Sequence, residues 1–184
     1  VYLNGQLVGE HLGGYTAFAL EITNFVHRDA ENLLAVRLDT REDTALPPFG
    51  FVIDYLTYGG LYREVWLETT AATCVTDLFV HTPTLTEAAV SVTTDAPEKA
   101  AVLRVSLCGA ALVGQQLPAA AKAECTLTLP DAQPWGTDHP NLYTCRAELL
   151  DAAGQVLDCR ETTFGFRTAE FKADGFYLNG KKTF

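Results

Sequence analysis

The residues best placed to do chemistry lie between Thr40 and Tyr58. Asp54 is the acid within the apolar part of that stretch, flanked by Val52, Ile53, Tyr55 and Leu56. The stretch holds Pro47, Pro48, Phe49, Phe51, Tyr55 and Tyr58 and shows no clear period. Roughly twenty residues without regular structure inside a folded domain usually form a functional loop. A carboxylate among aromatic neighbours at a loop tip suits recognition of hydroxyl groups. Aspartate is also a common turn residue, and capping a turn is the plainer role. Both readings stand on pattern alone.

The elements that must position Asp54 follow it. Gly59-Gly60 supplies a permissive backbone through which a loop can enter a strand abruptly. Over residues 61–67, Leu61, Arg63, Val65 and Leu67 alternate with Tyr62, Glu64 and Trp66, which predicts a strand.

Other reactive side chains point to structure. His11 and His27 have no second ligand-type residue at a useful spacing, and Glu10 beside His11 falls on the opposite face of a strand. His139 lies between Pro134 and Pro140 in a corner and is expected to be exposed. The five cysteines, Cys74, Cys108, Cys125, Cys145 and Cys159, show no C-x-x-C spacing, and each lies in or beside a strand-like run. All five are expected as thiols, with no metal site.

With 184 residues, 48% of them hydrophobic, the chain can build one large or two small domains. A net charge of -10 without a Lys/Arg run argues against nucleic acid and anionic membrane surfaces. No segment approaches the ~18 apolar residues of a membrane span. The start, Val1-Tyr2-Leu3-Asn4, has no signal-peptide features. There is no methionine, so the chain is expected to be a piece of something longer.

In order, Asn4-Gly5 between short apolar runs predicts a hairpin. Strands are predicted over 15–25 and 33–39, with a short turn at residues 25–27. Thr69-Thr70-Ala71-Ala72 reads as a domain boundary. Beyond it the pattern predicts strands over 75–82, 89–94, 101–107, 124–129, 143–150 and 156–164, separated by turn signals such as Asp95-Ala96-Pro97 and Ala153-Gly154. Six or seven short strands read as an immunoglobulin-like sandwich. Residues 118–122 are Ala-rich but too few for a helix that stands alone. Pro134-Trp135 through Pro140 predicts a packed corner. Asn179-Gly180 predicts a second hairpin.

These landmarks, in this order, resemble family-2 glycoside hydrolases, the β-galactosidase and β-glucuronidase group. The matching stretches are residues 1–8 with their Leu3-Asn4-Gly5, residues 9–18, residues 31–37, Tyr58-Gly59-Gly60-Leu61-Tyr62-Arg63-Glu64-Val65, residues 134–143, Phe164-Gly165-Phe166-Arg167 and residues 176–181. The resemblance implies an all-β fold: a partial jelly-roll β-sandwich followed by an immunoglobulin-like β-sandwich. Residues 1–70 would be the later part of the jelly-roll sugar-binding domain and 71–166 the immunoglobulin-like domain. Residues 167–184 would be the linker and first hairpin of a (β/α)8 catalytic barrel.

In this family the aspartate before the Tyr-Gly-Gly-Leu-Tyr-Arg stretch reaches into the barrel's active-site mouth. It contacts hydroxyls of the non-reducing-end sugar and in some galactosidases helps a sodium site. Asp54 stands at that place, so the resemblance favours a substrate contact. Arg63 is expected to pair across the sheet. Retaining hydrolysis needs two carboxyl groups about 5–5.5 Å apart. Glu42, Asp43, Glu161 and Glu170 offer no such pair, so no catalytic residue is assigned here. The resemblance implies no cofactor in this chain, allows sodium or magnesium in the complete enzyme, and implies a cytoplasmic homo-oligomer that acts on β-galactosides. Glucuronidases of the family tend to carry histidine where Tyr62 stands, which tilts the reading to galactosidase; the alternatives are a β-glucuronidase fragment or an independent carbohydrate-binding module with Phe49, Phe51, Tyr55 and Tyr58 as its aromatic platform.

Overall fold

Two Asn-Gly turns bracket the protein. Tyr2–Leu3 (β1) pairs antiparallel with Gln6–Leu7 (β2), and Asn4 and Gly5 between them take φ of 53° and 79°. Both turn residues are left-handed, the conformation that matches the twist of a two-residue hairpin. The structure is a computed structural model that describes residues 1–41, 43, 45–46, 59–108 and 113–183. It divides into two units, Val1–Leu67 and Glu68–Phe184.

In the first unit, Leu34–Ala35 (β3) pairs with the free side of β1, and Thr23–Phe25 forms one 3-10 turn. Leu3, between the two partner strands, is the one buried apolar residue of this unit among the described residues. The strands predicted over 15–25 and 61–67 do not form, and that over 33–39 shrinks to β3. Alternation marks a face, but a strand also needs a neighbour for its backbone groups. Among the described residues these segments have none beyond β1. Most of their apolar side chains stay exposed, Trp66 at 71% and Leu33 at 72%, while Leu20, Ile22, Phe25 and Val36 are half-buried.

The second unit is an antiparallel sandwich. Cys74–His81 (β4), Glu87–Asp95 (β5), Val102–Cys108 (β6), Val113–Pro118 (β7), Lys122–Thr128 (β8), Tyr143–Leu150 (β9) and Val156–Phe164 (β10) form two sheets. Their orders are β4-β5-β8 and β10-β9-β6-β7. The two inner faces supply the core: Leu78, Val90, Val92 and Leu127 from one sheet, Leu103, Val105, Leu107, Cys145 and Leu149 from the other. Phe166, fully buried, closes one end and stacks edge-on with Tyr143 and Phe164. The expected strands are all present, with β7 as an addition. It is a sheet edge, and its Gly114, Gln115, Gln116 and Pro118 carry little of the usual strand pattern.

The two sheets are also tied at their edges. Each of β4 and β10 carries a bulge, between Val75 and Asp77 and between Val156 and Asp158. There Val75 N donates to Asp158 Oδ2 (2.8 Å), and Arg160 Nη1 donates to Val75 O (3.3 Å).

Ala169–Lys172 (β11), Gly175–Leu178 (β12) and Lys181–Thr183 (β13) make a small meander at the end of the second unit. Its turn residues Asn179 and Gly180 take φ of 53° and 75°. Among the described residues, no helix is long and apolar enough to cross a membrane.

Candidate functional site

Asp54, the predicted sugar contact, lies outside the described residues, as do Phe49, Phe51, Tyr55 and Tyr58. Tyr62 and Arg63, which follow the glycine pair, are exposed on a segment without ladder partners among the described residues. Among the described residues Arg63 has no cross-sheet partner.

The predicted corner at Trp135 is built from three separate stretches of chain: residues 133–143, 165–167 and Asn179. Trp135 N donates to Phe166 O (2.8 Å), and Trp135 O accepts from Asn179 Nδ2 (2.8 Å). The Arg167 guanidinium sits 4.9 Å from the centre of the indole, a cation–π arrangement. Gly165 lies against the same side chain: a Cβ there would come within 2.5 Å of Trp135 Cβ. The loop closes on itself through Gly136 N to His139 O (2.9 Å) and Asn141 Nδ2 to Pro134 O (3.0 Å). Gln133 N donates to the Tyr143 hydroxyl (2.7 Å). Tyr143 is the first residue of β9, so this bond ties the loop to the start of that strand.

Beside this corner runs an open cleft of about 530 Å³, lined by Asp138, His139, Asn179, Lys181 and Lys182 among others. Imidazole, amide and ammonium groups border it. Lys182 is held at 3.3 Å by Asp174. The Tyr177 hydroxyl, and after it Lys182, keep the Asp174 carboxyl below its ordinary range. A shallower groove of about 360 Å³ lies on the β4-β5-β8 sheet, beside His81, Ser91, Glu124 and Thr126.

The acids considered for catalysis are occupied elsewhere. Glu161 pairs with Arg146 (3.1 Å) and Glu170 with Lys172 (3.2 Å), while Asp43 accepts from Ala45 N (2.9 Å). Glu42 is outside the described residues. Among the described residues no group of three or more His, Cys, Asp or Glu side chains is placed to hold a metal. His11 stacks on Phe18 at 4.5 Å and bonds Thr16 Oγ1 (2.9 Å), and His139 is exposed.

Sequence reasoning missed a four-member charge ladder, Arg104–Glu148–Arg146–Glu161, that crosses β6, β9 and β10. The register partners Arg104 and Glu148 meet at 2.6 Å. The Arg104 hydrogen bond lowers the Glu148 carboxyl below its ordinary range, against the opposing effect of burial. A usable signal was a charge at alternate positions inside strands that otherwise read as core.

The profile of Glycosyl hydrolases family 2 matches residues 67–167. A beta-galactosidase of Thermoanaerobacter pseudethanolicus is 34% identical over 98% of this chain and 26% of its own length. A putative beta-glucuronidase of Formosa agariphila is 33% identical over 99% of this chain and 23% of its own length. Among solved structures, a Bifidobacterium dentium beta-glucuronidase complexed with coumarin-3-O-glucuronide superposes with a TM-score of 0.81. It is 26% identical and covers 98% of this chain and 36% of that one. The chain thus spans about a quarter of the length of the relatives it matches. Together with the all-β architecture and the corner built on Trp135, these matches place the chain in glycosyl hydrolase family 2.

Proposed function

We propose that this chain is the non-catalytic accessory part of a retaining family-2 glycosidase, and that the complete enzyme hydrolyses terminal β-D-galactosides. The observation that carries the reading is the 34% identity to a beta-galactosidase along 98% of the chain. Tyr62, where glucuronidases of the family tend to have histidine, supports the same sugar. In this reading residues 1–70 belong to a jelly roll and 71–166 to an immunoglobulin-like domain, which the two-sheet antiparallel sandwich of β4 to β10 supports. Residues 167–184 lead toward the barrel that carries the catalytic carboxyl pair, and Asp54 contacts sugar hydroxyls at its mouth. A β-glucuronidase is the second reading, favoured by the name of the solved neighbour at 26% identity.

The test uses the complete coding sequence. The kcat/KM values for aryl β-galactosides and aryl β-glucuronides, measured side by side, separate the two readings. Asp54→Ala in that enzyme should lower kcat/KM by about 1–3 kcal/mol of transition-state binding, the worth of a charged hydrogen bond. An unchanged kcat/KM would remove Asp54 from the site. The 184-residue chain alone should turn over neither substrate. Turnover abolished by mutating one of its own acids would sink the accessory reading.

A further inference from the structure

Asn4 and Asn179 are each followed by glycine, at the same place in the same kind of turn. The other asparagines, Asn24, Asn32 and Asn141, precede phenylalanine or leucine. An asparagine before glycine is chemically vulnerable, because no side chain on the next residue shields its amide nitrogen. That nitrogen attacks the asparagine Cγ, and a new C–N bond closes a five-membered succinimide. The Cγ–Nδ2 bond breaks, and ammonia leaves with the proton released by the attacking amide. Water then opens the ring at either carbonyl to leave aspartate or isoaspartate. The step consumes only water.

The attack requires the side-chain amide to swing over the glycine nitrogen, and in both turns the amide is tied down. Asn4 Oδ1 accepts from Leu33 N (2.9 Å), and its Nδ2 donates to Phe25 O and Asn32 Oδ1 (both 2.9 Å). Asn179 Oδ1 accepts from Thr168 N (3.0 Å), and its Nδ2 donates to Trp135 O (2.8 Å). Reaction must wait until these clamps open, so its rate follows local rather than global stability.

The two clamps are not equally anchored. Around Asn4 the strands are two residues long, Leu33 is 72% exposed, and Leu3 is the one buried apolar residue of the unit among those described. Around Asn179, Trp135 is itself held by Phe166 O and covered by Arg167, and Phe166 is fully buried.

We propose that Asn4 and Asn179 are spontaneous deamidation sites gated by their clamps, and that Asn4 is the faster of the two. At Asn179 the product carboxylate would face the Trp135 carbonyl oxygen that the amide N–H now satisfies, so modification there loosens the meander.

The test incubates the whole 184-residue chain in mildly alkaline buffer, native and in concentrated urea, and follows each asparagine by peptide mass mapping. The expected native result is deamidation several-fold faster at Asn4 than at Asn179. In urea both should accelerate and converge, with Asn24, Asn32 and Asn141 lagging in either state. Asn32→Ala should speed Asn4 and leave Asn179 unchanged. Native rates that are equal at the two sites, or a native rate as fast as in urea, would overturn the gating. So would a lead by any asparagine not followed by glycine.

Discussion

Asn4 and Asn179 share three bonds of the same kind in different units, and Asn4 adds a fourth to Asn32 Oδ1. Each amide N–H donates to the carbonyl of a residue outside its own hairpin, Leu33 or Thr168, while Oδ1 accepts from that residue's N–H. Each Nδ2 reaches a third stretch, at Phe25 O or Trp135 O. One side chain therefore fixes both the turn and the two segments that border it. Asn179→Ala should cost about 1–3 kcal/mol locally, since it leaves the Thr168 N–H and the Trp135 carbonyl without partners. The check is hydrogen exchange of the full chain, with protection lost over residues 168–183 and retained in β9.

Gly165 has no room for a methyl group. Because its Cβ would meet Trp135 Cβ, which cannot rotate away, Gly165→Ala must displace the corner. The expected cost is about 1–3 kcal/mol, as for overpacking elsewhere. Thermal unfolding measures it, and the near-ultraviolet signal of Trp135 should change with it.

The charge ladder predicts a pH dependence of known sign. The folded Glu148 carboxyl is depressed by Arg104. Its contribution is present above the unfolded glutamate value of about 4.3 and is lost as pH falls through the lower folded value. Glu148→Gln should cost about 1–2 kcal/mol at neutral pH, the lower part of the range because Arg104 is 39% exposed and partly screened. It should also flatten the acid limb of a stability-against-pH curve measured by urea unfolding.

The thiols should react in order of exposure. All five cysteines are free, with Cys108 and Cys159 exposed and Cys74 and Cys145 buried. Burial pushes the Cys145 thiol up to about 12, so it holds almost no thiolate at neutral pH. Timed alkylation with mass detection should label Cys108 and Cys159 first, Cys125 later, and Cys74 and Cys145 only on unfolding. Fewer than five labels on the unfolded, unreduced chain would contradict the free-thiol state.

The two units should differ in protection. The second buries a continuous core between two sheets, while the first buries Leu3 alone among its described apolar residues. In hydrogen exchange of the whole chain, amides of β5, β6 and β9 should exchange slowest, and those over residues 9–25 and 61–67 close to the unprotected limit. Equal protection in both units would contradict this.

The parts of the fold legible in the sequence are those fixed by a few adjacent residues. Asn-Gly sets a two-residue hairpin through backbone preference alone, and both hairpins stand where that dipeptide occurs. Val90, Val92, Leu103, Val105 and Leu107 alternate between turn signals, so their strands are equally plain. Residues 15–25 and 61–67 alternate too, but alternation names a face and cannot supply a partner strand. The corner site was legible only as a corner. Gly165, Arg167 and Asn179 lie thirty or more residues from Trp135 in the chain, and no local pattern brings them to it.

The tie between β4 and β10 has a consequence for how the protein meets other copies of itself. A strand at the margin of a sheet ordinarily offers unpaired N–H and C=O groups, and another chain can extend the sheet by adding a strand there. At Val75 both groups are already engaged, the N–H by Asp158 and the carbonyl by Arg160. The bulge beside them breaks the straight run that an incoming strand would need. At Val75 this margin of the sandwich is thus capped against an added strand by two side chains of opposite charge.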